Sequence, residues 1–507
     1  MKILTAQQVK AADAATVSTK NITSLELMEH AAMQCFNFIK NNFDVYNSEI
    51  KVFCGVGNNG GDGLVIARLL AEINVNVSCF IVHFSENQSQ DFKLNYERLR
   101  KYKNVECIDI KDSFKIPILS NTDLIIDAIF GIGLSKSPKG IAKKIIQHIN
   151  NSNALTISID MPSGLFAEYT VEDKEAVIKA DMVLTFQTPK LALLLPDNST
   201  FSKSFEVIDI GLDNNFINAL DVKNLYLTVD FVKNLYRKRT KFQHKGSFGH
   251  SLLIGGSYGK NGAIVLASKA ALKIGSGLVS SYIPKCGYQI LQTTIPEVMV
   301  EVDNENLLQF FNVETHATGI GIGPGMGCNE KTAEGFINFI ETYNKPLVLD
   351  ADALNILSVR QDKFASIPEN SVLTPHPKEF ERLVGSWKND YEKLNKLKDF
   401  SSKYKVVVVL KGAHTVVAFN GLLYYNSTGN VALATAGSGD VLMGIITGLI
   451  AQGYATLEAA ILGVYIHGKT ADIYTQKYPV ETFTASELIE LIPDALTETF
   501  YAKKNHA

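Results

Sequence analysis

Near-continuous apolar runs alternate with amphipathic stretches along most of the chain. In the first part the apolar runs are KVFCGV (51–56), NVSCFIV (76–82), LIIDAIF (124–130), ALTISID (154–160), ADMVLTF (180–186) and SFEVIDIG (204–211). Runs apolar at successive positions are expected of parallel strands covered on both faces. Between them, LVIARLLAEI (64–73) and IAKKIIQHI (141–149) carry the i, i+3, i+4 spacing of covering helices, and ITSLELMEHAAMQCFNFIKNN (22–42) leads as a helical segment. The pattern predicts a doubly wound α/β domain. It lapses over 212–240, and the domain boundary is placed there, giving domains 1–215 and 225–507.

A second α/β series follows, with strands predicted at HSLLIGGS (250–257), LVSSYIP (278–284), ATGIGIG (317–323), PLVLDAD (346–352), SVLTPH (371–376) and KVVVVLK (405–411). TVVAFNGLLYYNS (415–427) reads as a hairpin turning at Asn420–Gly421, a pair suited to the positive φ angles of a type I′ turn. Two helices, around 438–453 and 457–474, are expected to end the domain.

The bulk numbers narrow the function classes. A chain of 507 residues, 46% hydrophobic and 20% charged, suits two or three globular domains with large cores. A net charge of −3 argues against a broad nucleic-acid footprint, and the basic run RKRTK (237–241) reads as a solvated linker. The longest apolar stretches, LALLL (191–195) and VLMGIITGLIA (441–451), are too short to span a bilayer. The N-terminal MKILTAQQVKAADAATV has no apolar h-region, so no signal peptide is expected. The six cysteines form no C-x-x-C pair, and several lie within apolar runs, which points to a reducing cytoplasm.

Ligands of parallel α/β sheets bind beyond the carboxyl ends of the strands. The first strand is followed by NNGGDG (58–63), the run 124–130 by GIGLSKSPKG (131–140), and the run 154–160 by MPSG (161–164). Gly60, Gly61 and Gly63 are expected to let backbone N–H groups approach an anion, with a helix beginning near Asp62 adding its positive end. Asp127 lies within an apolar strand, so a cation or a cluster of N–H donors must compensate its charge. A monovalent cation held by oxygens of Asn59, Asp127 and Ser163 would serve, as would a purely structural hydrogen-bond set. Asp160 either caps the turn that follows it or faces the pocket as an acid or base.

In the second series, TAGSGDVLMGIITGLIA (435–451) joins a small-residue turn, an aspartate and a helix. Backbone N–H groups from Ala436 to Gly439 would form an anion hole, and Asp440 could take the proton of a hydroxyl attacking a phosphoryl group. KGAHT (411–415) can hold phosphates or an adenosine. TPHPKEF (374–380) fixes His376 between two prolines, and GPGMG (323–327) and the loop GGSYGKNGA (255–263) are further glycine turns.

Together these motifs resemble the bifunctional NAD(P)H-hydrate repair enzymes. NNGGDG, Asp127 with GIGLS, and DMPSG are similar to the YjeF N-terminal type of NAD(P)H-hydrate epimerase. HKGSFGHSLLIGGS, GIGPGMG, TPHPKEF, KGAHT and AGSGD are similar to the ADP-dependent NAD(P)H-hydrate dehydratase, a ribokinase-like protein. The resemblance spans nearly the whole chain and implies two α/β domains, a Rossmann-like sandwich and a ribokinase-like domain. It implies that Asn58, Asn59, Gly60, Gly61 and Asp62, then Gly131, Ile132, Gly133, Leu134, Ser135, Lys136 and Ser137, bind the hydrated nucleotide with the catalytic Asp160. Asn59, Asp127 and Ser163 would hold potassium. Ala263, Gly325 and His376 would line the hydrate site of the second domain beside Asp440, the catalytic base. Lys411, Gly412, Ala413, His414, Thr415 and Gly439 would bind ADP, with Mg²⁺ spreading the charge. Expected partners are hydrated NADH or NADPH, ADP and further copies of the chain, without nucleic acid or membrane. Lys260 and Lys378 depart from the commoner pattern of the family. A ribokinase-like small-molecule kinase fused to a nucleotide-binding module is the alternative.

Overall fold

The structure is a computed structural model that describes residues 1–111, 117–311, 313 and 316–501. The chain divides into two compact units, Lys2–Val222 on one side, Met1 with Lys223–Ala507 on the other.

The first unit is built on β1 (Glu49–Cys54), β2 (Val77–Val82), β3 (Val105–Ile110), β4 (Asp123–Ala128), β5 (Leu155–Ile159), β6 (Met182–Phe186) and β7 (Phe205–Ile208). They form one parallel sheet in the order β3-β2-β1-β4-β5-β6-β7. Successive side chains of a strand point to opposite faces, and each face here has its own core. Val52 and Cys54 pack with Leu64, Leu70 and the helix Ser24–Asn42 on one face. Phe53 and Ile125 pack with Ile141, Ile145 and Ile149 on the other. The strand order reverses between β1 and β4, and a crevice opens at such a switch point.

The second unit contains β8 (Asn224–Tyr226), β9 (His250–Ile254), β10 (Leu278–Ile283), β11 (Met299–Val302), β12 (Gly319–Ile322), β13 (Val348–Leu349), β14 (Val372–Leu373), β15 (Val407–Leu410), β16 (Val416–Phe419) and β17 (Leu422–Tyr425). Their order is β11-β10-β9-β12-β13-β14-β15-β16-β17-β8, with β16 antiparallel to both neighbours and all other pairs parallel. Here the switch point lies between β9 and β12. Asn420 and Gly421 both have positive φ, 49° and 75°, as a type I′ hairpin requires. The apolar helix Ser438–Ala451 is buried against the helix Asn261–Lys273, and Gly444 and Gly448 permit that approach: a Cβ on Gly444 would stand 2.1 Å from the Ala267 carbonyl oxygen.

Three strands lie outside the predicted set: β3, β8 and β11. All three are sheet edges, half-exposed, with polar residues interleaved, so the apolar run that marks a central strand is missing. The helix Ala6–Lys20 is also absent from the predicted elements. Its buried positions are Val9, Ala12 and Thr16, too small and too polar to mark a face. Past the two helices expected to end the chain lie short helices at Ala485–Glu490 and Ile492–Leu496.

NNGGDG differs from expectation. The helix begins at Asn58, with Gly57 as N-cap, and the glycines lie inside it. They serve packing: a Cβ on Gly60 would sit 1.8 Å from the Gly55 carbonyl oxygen, one on Gly61 2.7 Å from the Met28 sulfur, and one on Gly63 2.7 Å from the Ala128 Cβ. Gly60→Ala is therefore expected to destabilise the unit by about 3 kcal/mol, since rigid backbone must move. A lowered urea midpoint at an unchanged denaturant slope checks this.

Candidate active sites

A cavity of about 640 Å³ opens at the carboxyl ends of β1, β4 and β5. Gly57, Asn58, Asn59 and Asp62 line it from the start of the helix after β1, Ile129 to Lys136 from the loop after β4, and Asp160 from the end of β5. Gly57 provides no side-chain cap, which leaves the first N–H groups of that helix available to an anion. Phe84 and Phe130, with ring centroids 4.4 Å apart, add an aromatic wall.

Asp160 is 5% exposed and has φ of 66°. Aspartate tolerates this left-handed region better than most residues, and such strain gathers at functional sites. Its Oδ1 pairs with Lys190 Nζ at 2.8 Å, and its Oδ2 accepts the Ile132 N–H at 3.0 Å. Lys190 is 1% exposed and donates also to the Phe186 carbonyl. Asp160 is thus a positioned carboxylate with a buried counter-ion, and the loop after β4 is tied to it. Burial pushes the Asp62 carboxyl well above its ordinary range, and the nearby Asp160 and Asp13 charges add to the shift.

Asp127 is fully buried, and four donors compensate it: Ser158 Oγ (2.7 Å), Ser163 N (2.9 Å), Ser163 Oγ (2.5 Å) and Ile129 N (3.3 Å). Burial still raises its carboxyl. The Asn59 amide nitrogen, near Gly131, is buried with no hydrogen-bond partner. A Cβ on Gly131 would lie 3.2 Å from the Asn59 Cγ and 3.1 Å from Asp160 Oδ2, a tight fit between the two side chains.

The cavity thus gathers Asn58, Asn59, Asp62, Gly131 to Lys136 and Asp160. Gly60 and Gly61 are buried in the helix packing and Ser137 lies beyond the wall. Lys190 and Asp13 were not among the predicted residues. Lys190 could have been found as a lone charge opening the apolar run LALLL. Asp13, on a helix without a clear apolar face, gave no such signal.

In the second unit a cavity of about 540 Å³ is lined by Lys411, Gly412, Ala413, His414, Thr415, Ser438 and Gly439, with Asn426, Leu442 and His467. The helix Ser438–Ala451 starts after Gly437 (φ 86°) with no side-chain cap; Ser438 N donates to the Thr435 carbonyl at 3.4 Å, and the N–H groups of Gly439 and Asp440 are available. His467 Nε2 meets the Ser438 carbonyl at 2.9 Å, and burial lowers its pKa to about 4, so a neutral imidazole donates that bond. Asp440 stands in the first helical turn. Burial raises its pKa to about 7, with Asp350 and Asp352 adding to the rise and Lys411 opposing it. Lys411 Nζ pairs with the buried Asp350 at 3.0 Å. A Cβ on Gly439 would stand 3.2 Å from that Nζ, so the glycine leaves room for the lysine beside the anion hole.

The loops after β9 and β12 meet at the switch point. Gly256 N donates to the Pro324 carbonyl at 2.8 Å and Ser257 Oγ to the Gly325 carbonyl at 2.7 Å. A Cβ on Gly325 would lie 3.3 Å from Ala263 Cβ and 2.6 Å from the Lys260 carbonyl oxygen. Ala263 and Gly325 therefore face one another. His376 caps the helix Pro377–Val384: its Nδ1 accepts the N–H groups of Lys378 and Glu379 at 3.1 and 3.3 Å. Its pKa is lowered by burial first and then by Lys411 and Arg382, which leaves Nε2–H as a donor. Ala351, between Asp350 and Asp352, has φ of 48° and ψ of −117°, a strained turn outside the predicted features. Its signal, DAD at the end of a strand on the same sheet edge, was present. Among the described residues no group of three or more His, Cys, Asp or Glu side chains could hold a metal ion, and no helix is long and apolar enough to cross a membrane.

Fold and sites together define a ribokinase-like domain joined to a YjeF N-terminal type domain. The NAD(P)H-hydrate dehydratase profile matches residues 251–494, and that of the YjeF-related protein N-terminus residues 24–192. The chain is 34% identical over 514 residues to a bifunctional NAD(P)H-hydrate repair enzyme of Moorella thermoacetica, covering 98% of this chain and 97% of that one. It is 31% identical to the enzyme so named in Escherichia coli, covering 99% and 95%. A ribokinase-like superfamily protein of Enterococcus faecalis superposes with a TM-score of 0.50 at 26% identity, covering 56% of this chain and 99% of that one. The chain belongs to the family of bifunctional NAD(P)H-hydrate repair enzymes.

Proposed function

We propose that the chain restores hydrated nicotinamide nucleotides: it interconverts the two C6 epimers of hydrated NADH or NADPH in the first unit and dehydrates the S epimer at the expense of ADP in the second. Family membership supports the pair of activities, and the cavity with Asp440 at its anion hole carries the chemistry. A hydroxyl on C6 is a poor leaving group, whereas phosphate is a good one. Asp440 takes the hydroxyl proton as the oxygen attacks the β-phosphoryl of ADP. The free N–H groups at the start of its helix and the Lys411 ammonium balance the charge that develops. The ring nitrogen then expels phosphate, leaving AMP and the restored nucleotide. Ala263, Gly325 and the Nε2–H of His376 border the hydrate, while residues 411–415 and Gly439 hold ADP. Mg²⁺ would neutralise the diphosphate, held chiefly by phosphate oxygens and water as is usual for this ion. Of this chain's side chains, the Asp350 carboxylate, paired with Lys411, would be the one to help hold it. Potassium fits the cluster of Asn59, Asp127 and Ser163: rotating the unpartnered Asn59 amide turns an oxygen into the buried position, where a cation would answer it. It would fix the loop after β4 against the substrate. The free thiols support a reducing cytoplasm. Self-association and a lack of affinity for nucleic acid or membrane complete the proposal.

Because the base must be ionised, kcat/KM for dehydration is expected to rise with pH through about 7 and to level above it, following the raised Asp440 carboxyl. A flat profile from pH 5.5 to 8 would remove Asp440 from that role. The kinase alternative is separated by product: a kinase leaves a stable phosphorylated substrate, whereas repair releases inorganic phosphate.

A further inference from the structure

The first cavity holds a carboxyl group, that of Asp13, with no part in the function proposed for Asp160. The helix Ala6–Lys20 lays one face on it, through Ala6, Val9, Lys10 and Asp13, the i, i+3, i+4, i+7 positions of a single stripe. Asp13 makes no hydrogen bond or ion pair among the described residues, and its side chain opens into the cavity. Asp160 enters the same space from the end of β5, held by Lys190 and the Ile132 N–H. The cavity thus carries three carboxyl groups on separate elements: Asp160 anchored by its ion pair, Asp62 buried in the helix after β1, and Asp13 more open to the cavity.

We propose that Asp13 is the second acid–base residue of the epimerisation, acting on the substrate from the leading helix while Asp160 acts from the sheet edge. The inference rests on the assignment of the first unit as the epimerase. Epimerisation at C6 breaks the C6–O bond as the N1 lone pair forms N1=C6, and a proton donated to the departing oxygen releases water. The resulting C6 is planar. Water then adds to the other face, the C6–O bond re-forms, the π pair returns to N1, and a base takes the proton. The two faces need separate proton carriers, because a carboxyl group lying over one face cannot reach oxygen on the other. One group gives a proton and the other accepts one, and the roles exchange in the reverse direction.

The electrostatics agree with this division. Burial raises the Asp13 carboxyl to about 6, Asp160 adding to the rise and Lys190 opposing it. It therefore exists in both protonation states near neutrality, as a proton carrier requires. Asp62, the third carboxyl of the cavity, is more deeply buried, and that burial raises its carboxyl well above the ordinary range. The charged groups facing Asp13 are Asp62, Asp160, Lys190, and the Lys10 and Lys136 side chains of the cavity wall.

The test uses the full chain, in which dehydration of the S epimer reports on the second unit and urea unfolding reports on the fold of the first. Repair of the R epimer is measured for Asp13→Asn, Asp13→Glu and Asp160→Asn across pH 5 to 8, with titration of the hydrated nucleotide against each variant. Asp13→Asn is expected to slow R-epimer repair about 100-fold, leave dehydration and hydrate affinity within about threefold, and remove the inflection near pH 6. Asp13→Glu is expected to restore part of the rate. If Asp13→Asn epimerises like the unaltered chain while Asp160→Asn does not, the role of Asp13 falls and the epimerase assignment stands. Loss of rate matched by an equal loss of affinity makes Asp13 a binding residue and overturns the proposal. If the unaltered chain does not epimerise at all, both fall.

Discussion

Asp440→Asn is expected to lower ADP-dependent dehydration by about 10³-fold while leaving ADP affinity and R/S interconversion unchanged. The amide matches the carboxylate in shape, so the first turn of the helix Ser438–Ala451 and its free N–H groups are retained. What is lost is the acceptor for the hydroxyl proton. ADP affinity persists because residues 411–415, Ser438 and Gly439 form the nucleotide cavity and Asp440 is outside that lining. The neutral side chain also removes a negative charge near Asp350 and Asp352, so ADP binds at least as well. Pre-steady-state mixing of the S hydrate with ADP, set beside equilibrium titration of ADP, separates the two effects. A variant that turns over normally would show that another group takes the proton.

Lys190→Met is expected to abolish epimerisation and to destabilise the first unit by about 3 kcal/mol. Lys190 and Asp160 are 1% and 5% exposed, and their contact at 2.8 Å is the one ion pair of Asp160 among the described residues. Removing the lysine leaves a carboxylate with one N–H donor, that of Ile132, beside the raised carboxyls of Asp13 and Asp62. Asp160 would then lose the contact that orients it, and with it its role as a base. Replacing both partners, Lys190→Met with Asp160→Asn, which keeps a side chain suited to the left-handed backbone and an acceptor for the Ile132 N–H, is expected to recover most of the stability and none of the activity. That pattern separates the electrostatic role from packing. Urea unfolding of the first unit and R-epimer repair provide the two readouts, and equal stabilities for the single variant and the unaltered chain would show the pair to be dispensable.

The central strands and the residues at their carboxyl ends were legible because both leave local marks. A strand buried on two faces is an apolar run, and a loop that must turn sharply or approach another closely is rich in glycine. The edge strands β3, β8 and β11 left no such mark, since one side of each is wet. NNGGDG was legible as a glycine-rich start to a helix; the structure adds that Gly60, Gly61 and Gly63 bring the helix onto the sheet while Gly57, Asn58, Asn59 and Asp62 line the cavity. Asp127 presented two solutions to one energetic problem, and the hydrogen-bonded one is present, through Ser158, Ser163 and Ile129. The counter-ions were hidden. Lys190 reaches Asp160 and Lys411 reaches Asp350 across 30 and 61 residues of sequence, and no local pattern encodes a pairing made by the tertiary fold. Lys411 was named for ADP from its motif, but its partnership with Asp350 and the strained Ala351 emerged only in three dimensions.

The most direct measurement is the extent of repair when the pure chain is given a mixture of R and S hydrates with excess ADP. Two chemically competent sites convert the whole pool to NADH or NADPH with one AMP and one phosphate per molecule restored, and Asp160→Asn stalls once the S share is consumed. Accumulation of a stable phosphorylated hydrate, without inorganic phosphate or recovered nicotinamide absorbance, would contradict the assignment and return the second unit to the kinases.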